Sequence, residues 1–298
     1  MKLLKSAAIV SPVMVMFVLF SGAASAATSP SLGMASTFGI LSSTYTNTAG
    51  GTTINGDLGY TTPPAVTPTV NGNTHHADST YNQAGIDQGS ALSALNSQPC
   101  TFTFAPGAID LASDTTHGVV GSYGPGVYCI TGAASVGGGG TITLTGSGTH
   151  IFRMTGALNT SANSQVVASG VSACDVWWTP GAATTLGANS TFLGTDIDAS
   201  GITIGNTNRW SGRALAFGGT VTTTADTITV PTCGVTPTPS ATPISATPSA
   251  ASATPSVTAT PHLPLAGLGA QGNAVPWWSL PVLALLVLPI LYAIRKKA

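Results

Sequence analysis

The sequence predicts a mainly β domain, wound as a parallel β-solenoid with one long helix packed alongside and followed by a C-terminal transmembrane helix. Three observations predict it. Residues 184–230 repeat with a period of eighteen. The repeats are rich in Thr, Ile, Val and Gly, which favour strands and tight corners over helices. One segment alone, 77–96, has apolar residues at helical spacing.

Charge narrows the function classes first. Only 17 of 298 residues are Lys, Arg, Asp or Glu, or 6%, where a soluble domain carries about 25%. Five of the eight basic residues lie at the ends (Lys2, Lys5, Arg295, Lys296, Lys297), leaving Arg153, Arg209 and Arg213 against nine Asp, so the interior carries 3 − 9 = −6. No basic stripe is available for nucleic acid. The absence of Lys between Lys5 and Lys296 excludes Walker-type phosphate loops and Schiff-base chemistry in the body.

From the N-terminus, residues 1–26 read as a secretory signal peptide: Lys2 and Lys5, an apolar run Ala7–Phe20, then small residues up to Ala26. Export fits four cysteines, Cys100, Cys129, Cys174 and Cys233, which an oxidising compartment can pair in three ways. The sequential pairs Cys100–Cys129 and Cys174–Cys233 are the expected ones, although sequence alone leaves all three open. In 77–96, Ala77, Tyr81, Ala84, Gln88, Ala91, Leu92 and Leu95 fall near one face, giving a helix whose stripe lies along the solenoid.

The repeat itself sets Thr184–Gly201 over Ile202–Gly219, so that Leu186 meets Ile204, Phe192 meets Trp210, Gly194 meets Gly212 and Ile197 meets Leu215; Ile228 continues the Phe192/Trp210 column. Ala162-Asn163-Ser164 recurs as Ala188-Asn189-Ser190 after 26 residues, as an eighteen-residue coil with an inserted loop around Cys174–Pro180 would give. Three short strands and three corners make one coil, and stacking coils buries the Leu/Ile/Phe/Trp columns. An antiparallel sandwich also has short strands and glycine turns, but gives no reason for a fixed period.

After the body (27–234) comes a Thr-Pro-rich segment, 235–262, which reads as a semi-rigid stalk suited to O-glycosylation. Residues 263–274 hold Leu263-Pro264-Leu265-Ala266-Gly267. With the apolar stretch and basic tail that follow, this resembles a Gram-positive cell-wall sorting signal, except that Ala266 stands where that pattern has Thr. Residues 275–294 are apolar and, at about 1.5 Å per residue, just reach across a hydrocarbon layer of roughly 30 Å. The basic tail 295–298 stays cytoplasmic by the positive-inside rule, placing the body outside. A plain membrane anchor is preferred over covalent wall attachment by a sortase.

The body resembles the bacterial and fungal ice-binding proteins of the discontinuous β-solenoid type. The stretches that carry the resemblance are Phe38–Leu41, Thr53–Gly59, Val70–Asp78, Pro125–Tyr128, Thr149–Met154, Ala173–Trp178, Leu186–Thr195 and Ser211–Ala216, in the family's order across Leu32–Cys233. It implies a right-handed solenoid of triangular section with a long helix alongside, in which N-terminal residues close one end out of sequence order. The partner it implies is an ice crystal surface.

Ice requires a flat, rigid wall, and threonine suits one: its hydroxyl anchors a water, its methyl restrains it, and β-branching limits χ1. There are 45 Thr. In Ile202-Thr203-Ile204 alternation turns Thr203 outward. Thr185 and, allowing one extra residue, Thr222 are its equivalents in neighbouring coils. Thr143 and Thr145 alternate likewise and are expected to continue the column, with Asn159 replacing Thr between.

The chemical alternatives are weaker. Asp196 and Asp198, near Arg209 and Arg213 one coil on, have the spacing to bind calcium or flank a glycosidic bond, but are expected to be solvated, the arginines pairing with acids or capping coil carbonyls. A Gly-x-Ser-x-Gly elbow is missing, as is any Glu. His75, His76 and Asp78 could meet a metal only if adjacent side chains on an extended chain turned the same way. His117 and His150 have no partners at ligand spacing, and the cysteines lack close pairs. The sequence therefore predicts no enzyme, no cofactor and no metal. The reading is a surface-tethered ice binder; the alternatives are an adhesin for glycan or protein on the same scaffold, then a polysaccharide-active enzyme.

Overall fold

The computed structural model describes residues 26–234. The expected signal peptide (apart from Ala26), stalk, sorting-type motif, transmembrane helix and basic tail lie outside the described residues.

The described chain is mainly β, a parallel sheet coiled into a solenoid with one helix. Every named strand pairing is parallel, and each full coil supplies a strand segment to each of three stacked walls, strand Arg209–Thr223 running over all three. The upper coils keep the predicted register: Leu186 faces Ile204, Phe192 faces Trp210, Gly194 faces Gly212, Ile197 faces Leu215 and Trp210 faces Ile228. Lower coils are longer, because Thr141 pairs with Gln165 and Gln165 with Thr191, steps of 24 and 26 residues. The insertion is shorter than expected. Val176–Thr179 is itself a strand, leaving only the segment up to the 3₁₀ turn Ala173–Asp175 as the excursion.

The recurring Ala-Asn-Ser is a corner. Gly139, Asn163, Asn189, Thr207 and Ala225 all take left-handed φ between 55° and 67°, the turn each coil needs to leave its second wall for its third. Beneath it runs a buried polar ladder. Asn208 Oδ1 accepts from Ser190 N–H (2.5 Å), and Asp226 Oδ1 accepts from Asn208 N–H (2.8 Å).

The N-terminus closes the upper end out of sequence order. Strand Phe38–Asn47 lies on strand Arg209–Thr223, and Thr53–Asn55 lies on Thr227–Thr229. The core is an axial aromatic column: Tyr123, Phe152, Trp178, Phe192 and Trp210 follow one another with ring centroids 4.3–5.4 Å apart. The indole N–H of Trp210 donates to the Gly194 carbonyl (2.8 Å). That carbonyl leaves no room for a Cβ on residue 212, hence the repeated glycine.

Helix α1 (Ser79–Asn96) starts where Asp78 accepts the Tyr81 N–H (2.8 Å), an N-cap. Its buried residues are Tyr81, Ala84, Gly85, Gln88, Ala91 and Leu95. Ala77, expected in the stripe, lies before the helix with φ 50°. Gly85 is needed because a Cβ there would sit 2.4 Å from Phe217. Together with the N-terminal residues Ala27, Leu32 and Ala35, the helix packs over one wall, in a single apolar cluster with Leu41, Val127, Ile151, Trp177, Ile197 and Leu215. Arg153 donates to the carbonyls of Asn96 and Gln98, closing the helix C-terminus. Both expected disulfides are present, Cys100–Cys129 and Cys174–Cys233.

Candidate functional site

With one wall under the helix, two remain open to solvent. On the second wall, backbone pairing brings Thr185, Thr203 and Thr222 into one row, one per coil. The row extends through Thr46, which faces Thr222. Stacked strands place such neighbours about 4.8 Å apart. Between the threonines, Leu186, Ile204 and Val221 point into the core and fix the outward phase. A second, shorter row runs beside it, with Thr44 facing Thr220 and bridging to Thr62. Below Thr185 the first row passes through Asn159, Ser135 and Asp110. Asp110 is turned into its own corner, its carboxylate accepting from Ala112 N–H, Gly137 N–H and the Ser113 hydroxyl. The threonine part of the wall is free of charge.

Sequence reasoning missed Thr44, Thr46, Thr62 and Thr220. The usable signal was Thr44-Tyr-Thr46 against Thr220-Val-Thr222, the same pattern in segments far apart in sequence.

Thr143 and Thr145 do not continue this row. Their strand, Thr141–Thr145, pairs with Gln165–Ser169 and Ser122–Tyr123 on the third wall. Alternation says which side chains point outward, but not which of three walls they point from. Asn159 does lie in the row, next to Thr185, with Ser135 rather than a threonine on its other side.

The third wall is built differently. Its outer row reads Thr141, Gln165, Thr191, Arg209, Thr227, Thr53 and Thr69. Arg209 stands exposed in the middle. Strands Gln165–Ser169 and Thr191–Ile197 share only the pair Gln165/Thr191 before they diverge. A groove of about 370 Å³ opens there, lined by Val167, Ala168, Leu193, Arg209, Ser211 and Thr229 among others.

The acids depart from expectation. Asp196 and Asp198 are both buried rather than solvated, Asp196 on the inner side of strand Thr191–Ile197 and Asp198 just beyond its end. Asp196 lies between Trp178 and Ala214 in the core stack, where no polysaccharide reaches it. Burial, then the neighbouring Asp198, pushes its carboxyl well above the ordinary range. Among the described residues Arg213 pairs with no acid; it donates to the Ser36 carbonyl (2.8 Å) and the Thr195 hydroxyl (3.3 Å). Buried in this way, its guanidinium is pushed down to about 10.

His75 and His76 turn apart, to Asp78 (2.8 Å) and to the Thr61 carbonyl (2.8 Å). His117 does have a partner, Asp114 at 2.5 Å, and stacks on Tyr123 with ring centroids 4.0 Å apart. Among the described residues no three His, Cys, Asp or Glu side chains group as metal ligands.

Comparison with known proteins gives a consistent picture. Residues 40–229 match the family described as Ice-binding-like. A protein from Nostoc sp. (strain HG1) named "Ice-binding protein" is 33% identical over 221 residues, covering 70% of this chain and 77% of that one. The crystal structure of the ice-binding protein from the Antarctic ascomycete Antarctomyces psychrotrophicus superposes with a TM-score of 0.59 at 29% identity, over 69% of this chain and all of that one. An ice-binding protein from an Antarctic biological consortium gives 0.60 at 26%, over 70% and 94%.

Proposed function

The chain belongs to the ice-binding-like family, and on that footing we propose that it adsorbs to ice through the second wall of a right-handed solenoid of triangular section. The observation that carries this is the in-register row Thr46, Thr222, Thr203 and Thr185 on an uncovered, uncharged surface. Each threonine offers a hydroxyl to hold one water and a methyl to restrict it. The χ1 preference of a β-branched side chain keeps those groups in place before ice arrives, so little ordering is left for the moment of contact. Strand stacking then repeats the arrangement at a fixed interval. The third wall, broken by Arg209 and the groove, is not part of the surface.

The C-terminal segments support a tethered form of this activity. An apolar run at 275–294 with a basic tail, reached through a Pro-rich stalk, holds the body outside the cell at the membrane, with sortase attachment as the lesser route. Anchored there, the protein attaches a cell to ice or shapes ice beside the envelope. The test of the activity is thermal hysteresis and ice-plane affinity of the purified protein: a measurable gap with faceted crystals is expected, and the absence of both overturns the proposal. Cells lacking the protein that adhered to ice normally would overturn the tethered role.

A further inference from the structure

The end of strand Thr191–Ile197 and the residue that follows it bring two carboxyls, Asp196 and Asp198, into the interior at the corner where the helix wall turns into the threonine wall. Asp196 is 0% exposed, in register with Trp178 on one side and Ala214 on the other, and among the described residues neither carboxylate oxygen has a hydrogen-bond partner. Asp198 is 1% exposed; its Oδ1 accepts the Ser200 N–H (2.8 Å), while Oδ2 has no partner. Thr184, from the preceding coil and 0% exposed, lies against both carboxyls, yet its hydroxyl closes no well-formed hydrogen bond to either. Three buried side chains thus bring four unsatisfied oxygens to one corner. Arg213, on the opposite side of the neighbouring strand, is engaged with Ser36 and Thr195. Among the described residues the salt bridges all involve His75 or His117.

An unpaired buried carboxylate costs several kcal/mol unless something supplies the missing charge. A proton neutralises one acid but leaves most of the lone pairs facing one another. A divalent cation satisfies the pair of charges and the lone pairs together. The donors are all hard oxygens, with no nitrogen or sulfur, which selects against transition metals. Calcium accepts mono- and bidentate carboxylates in irregular geometry, whereas magnesium demands a near-ideal octahedron and keeps its waters. Asp198 is followed directly by the exposed corner residues Ala199 and Ser200, so the site lies next to the surface.

The geometry points to a calcium-type cation site formed by Asp196, Asp198 and Thr184. Such an ion would clamp the coil carrying Thr185 to the coil that leads into Thr203. The site stands independently of what the outer wall binds.

The experiment strips the full-length protein with chelator and measures calcium retained per chain after desalting, and Tm at pH 7.5 in excess calcium, excess magnesium or chelator. Expected are one calcium per chain and a calcium-specific rise in Tm of about 5–10 °C. Both should be lost in the Asp196→Asn/Asp198→Asn variant. Thr184→Val, which keeps the shape of the side chain, should raise the calcium midpoint. Equal Tm in calcium and chelator, an equal response to magnesium, or a calcium shift that survives the double substitution overturns the site. If the double variant does not fold, Asp198→Asn and Thr184→Val decide alone: calcium midpoints unchanged in both overturn it.

Discussion

The two walls that the helix leaves bare are made of the same material and end up as different surfaces. Both are stacked parallel strands with outward threonines over an inner layer of Leu, Ile, Phe and Trp. On the threonine wall, coil lies on coil in register from Thr185 to Thr46. On the third wall, the eight or so additional residues in the coil between Gln165 and Thr191 separate two strands and open a groove. A row of threonines is therefore necessary for a flat hydroxyl surface but insufficient for it; near-equal coil lengths, 18 residues from Thr185 to Thr203 and 19 from Thr203 to Thr222, keep the row in register. Chain added in the coil between Gln165 and Thr191 opens the third wall and on the threonine wall shifts the register only between Ala157 and Asn159, below Thr185, leaving the row from Thr185 to Thr46 paired.

The largest expected effect removes what the walls share. Trp210 is 2% exposed, closes the axial column against Phe192 and donates to Gly194. Trp210→Ala should cost about 3–5 kcal/mol, seen as a fall in the chemical-denaturation midpoint, and should degrade both walls together. A loss below about 1 kcal/mol would mean that the coils do not cooperate through the column.

Next is a substitution that separates the walls. Thr203→Tyr puts a ring in the middle of the threonine row, and Ser211→Tyr puts the same ring on the third wall, both at exposed positions. The first should abolish most of the thermal hysteresis and the second leave it nearly intact, with both proteins retaining the wild-type circular-dichroism spectrum. The reverse result would move the ice surface to the third wall.

How much of this was legible in sequence follows from the same geometry. Where coils have equal length, repetition gives the register directly, as with Phe192, Trp210 and Ile228. Thr143 and Thr145 went to the wrong wall because alternation has a period of two and carries no information about three-fold winding. Thr44 and Thr46 were invisible to repetition because their strand stacks on one some 175 residues away, which leaves no fixed period. The burial of Asp196 and Asp198 was hidden for another reason. The end of the strand that carries Asp196 and leads into Asp198 lies on the covered wall, so Ile197 on its outer side is buried as well as the two acids. The rule that a polar side chain marks the wet face fails on the end of a strand that has left the open third wall at Thr191 and runs under cover from Thr195 to Ile197. The helix and both disulfides needed only local spacing and cysteine order, and these were legible.

A smaller effect lies at the corner the two bare walls share. Asp226 is 0% exposed and accepts from Asn208 N–H and Thr224 N–H. Burial pushes its carboxyl up to about 6, against the pull of those two donors. The titratable group facing it is Tyr45, itself pushed up to about 12, first by burial, and neutral throughout the range that matters. Because the folded protein holds this proton more tightly than the unfolded chain, the group's stabilisation is complete below about pH 4 and is lost as pH rises through about 6. Tm should therefore fall between pH 4.5 and pH 7.5, and Asp226→Asn should shrink that difference. An unchanged difference in the variant would remove Asp226 as the source.

The smallest expected effect is the sharpest test of flatness against charge. Arg209 is exposed, forms no ion pair among the described residues, and interrupts a row with Thr191 on one side and Thr227 on the other. Arg209→Thr removes the only charge in that row and leaves threonine in register across successive coils, a row at least as long as the one on the second wall. Stability should change by less than about 0.5 kcal/mol, as for a surface site with no special partner. If an uncharged threonine row were sufficient, the variant would gain a second ice surface and its hysteresis would rise. Because Val167, Leu193 and the diverging strands beside the row are untouched, the groove persists and the waters along it cannot lie in one plane. Hysteresis should stay at the wild-type value, and a clear increase would show that the arginine, rather than the extra chain in the coil, silences the third wall.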